Sequence, residues 1–183
     1  MKFLAMVVYK RASEESELNR ILELQQRNLY ANVPKEEQLK EGFVTVSHTF
    51  DILNRMNDVC PHIIAKDGDK VVGYALCMHP EFSHEIAILK PMFLEIETMV
   101  PNIGNYIAMG QVCVDKDYRK KGIFRGLYRT IQNAVKSEFE IIITEVDAKN
   151  KRSLQAHYSV GFKLLSTHIS GGHEWKIIGL GTF

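Results

Sequence analysis

A basic stretch around one glycine is the part of this sequence whose residue types could do chemistry. Residues 114–128 read VDKDYRKKGIFRGLY, and residues 119–125 within them gather four cations in a chain whose net charge is only +1. The cations are Arg119, Lys120, Lys121 and Arg125, and the glycine is Gly122. Glycine lets a backbone approach a ligand closely, and free N–H groups at the start of a helix attract anions. The stretch therefore predicts an anion-binding turn, although a basic turn without a ligand has the same composition.

The spacing around Gly122 differs from two common phosphate motifs. No Lys-Ser or Lys-Thr pair follows the glycine, as it would in a P-loop, and the stretch is not a dinucleotide GxGxxG pattern. The positive charge is also local, since a pI near 7.7 argues against a general binder of nucleic acid. A defined anionic ligand is therefore expected, and nucleic acid is not.

Length and composition predict one globular domain over residues 1–183. The chain has 183 residues, of which 45% are apolar and 25% charged, enough for a sizeable core. Cys60, Cys77 and Cys113 lie in or beside apolar stretches without CxxC spacing, which is typical of reduced thiols in a cytoplasmic protein. No apolar run has the length of a membrane span, and the opening MKFLAMVVYKR is interpreted as a strand because it lacks a cleavage site of small residues. We therefore expect no membrane association, and no metal.

Apolar periodicity predicts the first elements that must support the turn. Residues 3–10 are predicted as a strand and residues 13–30 as a helix that starts behind a serine cap, with acids in its first turn. Pro34 ends this pattern. Residues 34–48 are then predicted as a connection with a short helical turn.

The middle of the chain contains the clearest local signal, a hairpin. A second helix is predicted from residue 49 until shortly before Pro61. The run HIIAKDGDKVVGYALCM has two apolar segments around a DGD turn, which is hairpin chemistry. Residues 81–100 are predicted as a helical segment interrupted near Pro91.

The remaining elements place the basic turn between a buried strand and a helix. The predicted elements are a strand at 105–114, a helix at 122–136, a strand at 140–146, a helix at 151–160 ending at Gly161, and strands at 162–170 and 173–180 joined across Gly171-Gly172. The order predicts an α/β chain with a mixed, mostly antiparallel central sheet flanked by helices. The sheet is expected to be parallel only where a helix links the strands that begin near residues 106 and 140.

The basic stretch resembles the acyl-CoA signature of the GCN5-related N-acetyltransferases, the GNAT family. In that signature, Q/R-x-x-G-x-G/A joins the fourth strand to the third helix. The six positions correspond here to Arg119, Lys120, Lys121, Gly122, Ile123 and Phe124. The downstream segment TEVDAKNKRSLQAHYSVGF resembles the second block of the family, and IIAKDGDKVVGYAL is similar to its second and third strands.

The resemblance implies the GNAT, or acyl-CoA N-acyltransferase, fold and acetyl-CoA as the cosubstrate. The cosubstrate would contact the fourth strand, the basic turn and the following helices. The residues implied are Val112, Cys113, Val114, Arg119, Lys120, Lys121, Gly122, Ile123, Phe124, Arg125, Asn150 and Ser153. Backbone groups near Val112 would meet the thioester oxygen and pair with the pantetheine arm like an added strand.

The chain departs from the family pattern at two positions. Phe124 stands where the family prefers glycine or alanine, so the turn is expected to tilt or the ring to pack beneath it. Many relatives carry a tyrosine four residues before the glycine of Gly-Phe, where this chain has His157, with Tyr158 one place later. Adjacent helical residues point about 100° apart, so Tyr158 cannot simply take over that position.

The implied reaction is the transfer of an acetyl group to a primary amine. An alkyl amine has a pKa of about 10.4, so a base or a water relay must take its proton before the amine attacks the thioester. Glu145, in a TEV context similar to that of a base in some relatives, is the first candidate; the alternative is an ordinary polar residue on a sheet face. Glu97, His79 and Asp115 are weaker candidates. His157 or Tyr158 could protonate the leaving thiolate, and a structural His157 is the alternative.

The acceptor is expected to approach from the side opposite the cosubstrate. Residues 30–48 and 81–105 are the implied specificity regions, and they are rich in glutamates. The glutamates are Glu36, Glu37, Glu41, Glu81, Glu85, Glu95 and Glu97. They would suit a cationic amine, although charges on exposed connections are usually solvated surface. The acceptor is a small molecule or a peptide, and a homodimer is left open.

Two other functions compete with the transferase. One is a non-catalytic acyl-CoA binding module whose acceptor chemistry has decayed, for which Phe124 and the missing tyrosine argue. The other is a cysteine hydrolase that uses Cys113 with His157 or His79.

Overall fold

The computed structural model describes residues 7–41 and 43–183, and it does not describe the side chains of residues 39–41. In this part of the chain, seven strands form one sheet in the order β1-β2-β3-β4-β5-β7-β6. The strands are β1 Val8–Arg11, β2 Ile63–Asp67, β3 Lys70–Met78, β4 Tyr106–Val114, β5 Ile141–Asp147, β6 Lys163–Ser170 and β7 His173–Gly181. Neighbouring strands are antiparallel except β4 and β5, which are parallel. The mixed, mostly antiparallel sheet is therefore confirmed.

Six α-helices of the described chain flank the sheet. They are α1 Glu15–Asn28, α2 Lys35–Glu41, α3 Phe50–Val59, α4 Lys90–Ile103, α5 Ile123–Val135 and α6 Lys151–Val160. One apolar core joins α1, α3 and α4 to the sheet through residues such as Ile21, Leu53 and Met92. A second core joins α5 and α6 to the sheet, with Leu127 and Phe162 among its members. The basic turn and α6 therefore lie on the side of the sheet opposite α4.

The strands β4 and β5 separate soon after they meet. Only residues 106–108 of β4 pair with residues 141–143 of β5, although both strands continue for several residues. On its other side β4 pairs with β3, and the register shifts so that Leu76 faces Gln111 while Cys77 faces Met109. Gly110 is therefore the extra residue of a bulge, which bends β4 where the gap opens.

Several local predictions are confirmed. The DGD turn joins β2 and β3, with Gly68 at a φ of 58°. Gly161 ends α6 with a φ of 111°, and Gly171-Gly172 join the last two strands. These turns follow from the ability of glycine to adopt positive φ.

The predicted serine cap of α1 is wrong. The residue at the N-cap is Glu14, and its side chain makes no capping bond. Instead, Glu17 reaches back and accepts the backbone N–H of Ser13, the residue before the N-cap, at 2.9 Å. Glu17 also accepts from Lys10 at 2.7 Å and Lys66 at 3.1 Å, so tertiary ion pairs select this arrangement.

Two other boundaries differ from prediction. The first strand occupies Val8–Arg11, and the predicted start at residues 3–6 lies outside the described residues. Pro91 does not interrupt a helix, because it lies in the first turn of α4, where its missing N–H has no cost. A 3₁₀ turn at Ala87–Leu89 precedes this start.

Candidate active site

The basic turn presents unpaired backbone N–H groups. Gly122 is the N-cap of α5 with a φ of 80°, and Lys120 also has a positive φ, of 62°. The first backbone bond of the helix joins the Gly126 N–H to the Gly122 oxygen at 3.0 Å. The N–H groups of Ile123, Phe124 and Arg125 cannot bond within the helix, and no acceptor for them occurs among the described residues. This concave run of donors can bind an anion.

The four cations of the turn have different roles. Arg119 donates from Nε to the Val114 oxygen at 3.2 Å and from its guanidinium to Asn28 Oδ1 at 2.8 Å, so it connects the turn to β4 and α1. Lys121 Nζ donates to the Asp117 oxygen at 2.8 Å and lies 4.8 Å from the centre of the Tyr118 ring. Arg125 donates to the Ser159 oxygen at 2.9 Å, and Lys120 is exposed at the turn.

The edge of β4 that faces the gap has backbone N–H groups without an acceptor among the described residues. The Asp115 N–H donates to the Val72 oxygen at 2.8 Å. This bond identifies which of the opposite residue pairs of β3 and β4 are hydrogen-bonded. Hydrogen-bonded and non-bonded pairs alternate along such a ladder, so the backbone groups of Val112 and Val114 point away from β3. The bond from Arg119 to the Val114 oxygen agrees with this direction. The N–H groups of both valines therefore face the gap between β4 and β5.

A cavity of about 390 Å³ connects the turn to this strand edge. Its lining extends from the N–H groups of the turn to the edge of β4 at Val112–Val114. Of the predicted cofactor residues, those lining it are Val112, Cys113, Val114, Arg119, Lys120, Gly122, Ile123, Phe124, Arg125, Asn150 and Ser153. Lys121 is not part of the lining, because its side chain turns back to Asp117.

One wall of this cavity was not predicted. The exposed face of α6 contributes Arg152, Ala156 and Ser159, and the end of α1 contributes Asn28. The α6 residues follow helical spacing from Asn150, which caps the helix by accepting the Ser153 N–H at 3.2 Å. That spacing could have identified them. Nothing in the sequence placed Asn28 beside a turn ninety residues away.

His157 is a buried link between α5 and α6 and does not line the cavity. It is 1% exposed, and its Nδ1 donates to the Ser153 oxygen at 2.8 Å while its Nε2 accepts from the Tyr128 hydroxyl at 2.7 Å. Burial lowers the pKa of His157 to about 4, against the weaker opposing effect of the Ser153 bond, so the ring is neutral at pH 7. This geometry fits a structural role for His157, which was the alternative to a catalytic one.

Phe124 packs into the same aromatic cluster. Its ring centre lies 5.0 Å from those of Tyr128 and His157, in edge-to-face contact with both rings. The ring therefore packs beneath the turn, which is one of the two arrangements expected for this position. The backbone N–H of Phe124 remains one of the unpaired donors of the turn. Tyr158 is 43% exposed and lines neither this cavity nor the smaller one described next.

Glu145 lines a second, smaller cavity at the point where the two strands separate. This cavity has a volume of about 50 Å³ and touches Met109 and Gly110 of β4 and Thr144 and Glu145 of β5. Glu145 Oε2 lies 3.0 Å from His168 Nε2. Burial raises the pKa of Glu145, and the contact with His168 opposes this rise. A carboxylate with a raised pKa at the vertex of the gap can act as a base.

Two of the three weaker candidates, Asp115 and His79, make other contacts. Asp115 accepts the Asp117 N–H at 3.1 Å and pairs with Lys70 at 3.0 Å, and His79 accepts the Glu81 N–H at 3.3 Å. Cys113 has a buried sulfur, and burial raises its pKa to about 12, so it is not a thiolate at pH 7. This argues against the cysteine hydrolase.

Three of the six glutamates in the specificity regions whose side chains the structure describes form surface ion pairs. Glu37 pairs with Lys116 at 2.7 Å, Glu81 pairs with His79 at 3.0 Å, and Glu85 pairs with Arg55. None of the seven lines either cavity where it is described, which favours solvated surface over an acidic recognition patch. The described residues also contain no group of three or more potential metal ligands, and none of their helices is long and apolar enough to cross a bilayer.

Comparisons with solved structures show which fold this is. A *Drosophila melanogaster* polyamine N-acetyltransferase superposes with a TM-score of 0.71 at 12% identity, over 96% of this chain and 100% of its own. The YncA protein of *Salmonella typhimurium*, a putative acetyltransferase solved with acetyl-CoA, gives 0.65 at 12% identity, over 97% and 95%. The ribosomal-protein-S18-alanine N-acetyltransferase of *Escherichia coli* gives 0.62 at 13% identity, over 97% and 94%. At these identities the likeness establishes the fold alone.

The sequence itself matches a family model. No curated protein sequence is significantly similar to the chain. The model of the acetyltransferase (GNAT) family matches residues 18–162, which include β4, the basic turn, β5 and all of α6. The matched range, the separated strands and the donor-lined turn lead to one assignment: this chain belongs to the GNAT acetyltransferase family.

Proposed function

We propose that the chain is an acetyl-CoA-dependent N-acetyltransferase in which a primary amine attacks the thioester directly. One observation carries the proposal: a donor-lined turn and an unpaired strand edge border one cavity that ends at a gap between parallel strands. The turn fits a diphosphate, since its free N–H groups lie at the positive end of α5. Acetyl-CoA supplies the activated acetyl group when it is bound.

The strand edge would orient the acyl end of the cosubstrate. The N–H groups of Val112 and Val114 face the gap, where they can donate to the amide groups of an extended arm and to the thioester oxygen. Arg119 stabilises this edge by bonding the Val114 oxygen. Lys120 and Arg152 would add positive charge beside the phosphates.

Glu145 is the proposed base. It lines the small cavity on the far side of the gap, and its raised pKa suits it to accept a proton from an ammonium group. His168 would keep the carboxylate oriented. No acid from α6 is proposed for the leaving thiolate, because His157 is buried and Tyr158 lies outside both cavities, and a free thiol with a pKa of about 8.5 needs little assistance.

Replacement of Glu145 by glutamine tests this function. A screen of peptides, polyamines and amino sugars that follows CoA release would first identify an acceptor. With that acceptor, Glu145→Gln should lower kcat by about 100-fold or more and leave acetyl-CoA affinity unchanged. The matched control is Asp147→Asn on the same strand, since Asp147 pairs with His173 at 2.7 Å and lies outside both cavities. Equal activity of wild type and Glu145→Gln would remove Glu145 from the mechanism.

A non-catalytic acyl-CoA binding module is the second candidate. The observation that favours it is the inward turn of His157, at the position where many relatives carry a tyrosine. The two functions differ in one result: a module binds acetyl-CoA in calorimetry and releases no CoA with any amine in the screen.

The domain organisation and the location of the protein in the cell are also proposals. We place residues 1–183 in one domain that acts in the cytoplasm. The three cysteines are free and buried, which suits a reducing compartment.

A further inference from the structure

The small cavity beside Glu145 has a shape and lining that restrict the acceptor. Its volume of about 50 Å³ provides space for about four water-sized atoms, since each needs about 10–15 Å³. Six of the ten described residues that line it have apolar side chains, and the ten come from five segments of the chain. The apolar side chains are Val46, Ile88, Leu89, Met92, Met109 and Trp175.

The polar groups of this lining are few. Among the described residues of the lining, Glu145 is the only one with an ionisable side chain, and the other polar side chains are those of Thr45 and Thr144. The indole N–H of Trp175 donates to the Ser170 oxygen at 3.2 Å, so this ring presents apolar surface to the cavity. A ligand with several hydroxyl or carbonyl groups would leave them without partners here, which is costly in a buried site.

The cavity also has a direction. Ile88 is 60% exposed, whereas Leu89 and Met92 are 5% and 2% exposed. The lining therefore extends from the protein surface at Ile88 to Glu145, beside the vertex of the gap. We call this channel, lined by the residues named above, the slot.

We propose that the acceptor is an unbranched alkyl primary amine, whose terminal nitrogen reaches Glu145 while two or three methylene groups fill the slot. This inference rests on the proposed function. The volume holds about four atoms, whereas an α-amine carries a carbonyl group and a side chain on its first carbon, and an amino sugar is a ring with several hydroxyl groups. A short unbranched chain matches this volume, and its terminal ammonium group complements the Glu145 carboxylate.

A homologous series of amines tests the slot. The substrates are methylamine, ethylamine, propylamine and butylamine, with CoA release as the readout. Each methylene that enters the slot should raise kcat/KM by about fourfold. Butylamine should exceed alanine amide and glucosamine by about 100-fold, which is the discrimination that two or three methylene-sized contacts provide.

Two variants with equal exposure provide a matched control. Ile88→Ser removes apolar surface at the mouth of the slot. In this variant, the outermost methylene group of the amine should no longer raise kcat/KM. Leu94→Ser lies on α4, where Leu94 is also 60% exposed but lines neither cavity, and it should leave the series unchanged. Both changes are at the surface, so folding is little affected.

The outcomes separate this inference from the proposed function. A flat series, or a preference for alanine amide or glucosamine, overturns the slot and leaves the acetyltransferase in place. Acetyl-CoA binding without CoA release from any amine overturns the proposed function, and the slot with it. If the series rises, 1,4-diaminobutane and a lysine peptide with a blocked N-terminus distinguish a free alkyl amine from a lysine side chain, and activity on either supports the slot.

Discussion

Replacing Lys120 with glycine is expected to stabilise the protein and to weaken acetyl-CoA binding at the same time. Lys120 is the one non-glycine residue of the described chain with a positive φ, at 62°. A side chain in this region costs about 1–2 kcal/mol, and the greater freedom of glycine in the unfolded chain offsets about 0.4–1 kcal/mol of that. The net gain is about 0.5–1 kcal/mol, or a rise in Tm of about 1–4 °C for a chain of this size.

The effect on the cosubstrate should have the opposite sign. Lys120 is exposed and lines the large cavity beside the free N–H groups of the turn. An exposed charge contributes about 1 kcal/mol at most to a phosphate contact, so acetyl-CoA affinity should fall by about fivefold at low ionic strength. The difference should shrink as salt is added.

The alanine variant separates backbone strain from charge. Lys120→Ala removes the same charge but keeps the cost of positive φ, so its affinity should match that of Lys120→Gly and its Tm should not rise. Calorimetric titration with acetyl-CoA and thermal unfolding measure the two effects. Equal Tm values for the glycine and alanine variants would refute the strain, and unchanged affinity in both would refute the placement of the phosphates at this turn.

Three further changes test the supporting structure. Burial alone would raise the pKa of Glu17, but hydrogen bonds from Lys10, Ser13 and Lys66 outweigh it and lower the pKa to about 2. Because the pKa is depressed in the folded state, this stabilisation is present above the ordinary pKa range of Glu and is lost as the pH falls toward 2. Glu17→Gln should therefore lower the free energy of unfolding by about 2 kcal/mol at pH 7 and weaken the pH dependence of acid unfolding. His157→Phe leaves the Tyr128 hydroxyl without its partner and should lower the free energy of unfolding by about 1–3 kcal/mol. The kcat of the folded variant should stay within a few-fold of wild type. A fall in kcat as large as that expected for Glu145→Gln would instead give His157 a part in the chemistry. Cys113→Ala should still release CoA, because the buried Cys113 is not a thiolate at pH 7. Loss of CoA release in this variant would favour the cysteine hydrolase.

The elements of this fold could be predicted because their signals are local. The DGD hairpin, the glycine at the end of α6 and the cations before α5 depend on neighbouring residues, and each lies where it was expected. The start of α1 could not be predicted in the same way. Glu17 replaces the serine cap because Lys10 and Lys66 come from two strands, and sequence spacing does not encode that contact.

The site shows the same division between local and tertiary information. Backbone donors follow from the position of a glycine before a helix, so the turn was accessible from the sequence. The direction of a side chain depends on packing: His157 faces Tyr128, and Lys121 turns to Asp117. Five of the slot's residues lie in the specificity regions 30–48 and 81–105 expected from the sequence, but their combination with residues from three strands depends on tertiary packing.

The short seam between β4 and β5 has a consequence for how the molecule opens. In the described sheet, three residue pairs form the ladder between the strands β1–β4 and the strands β5–β7, and the two apolar cores supply the remaining contacts between them. A seam with so few hydrogen bonds can open locally at a smaller free energy than the whole domain unfolds. A bound molecule that bridges Val112 and β5 closes this route and raises the local stability by mass action. Hydrogen exchange should therefore slow throughout β5 and β7 when acetyl-CoA is added, far beyond the atoms that it touches.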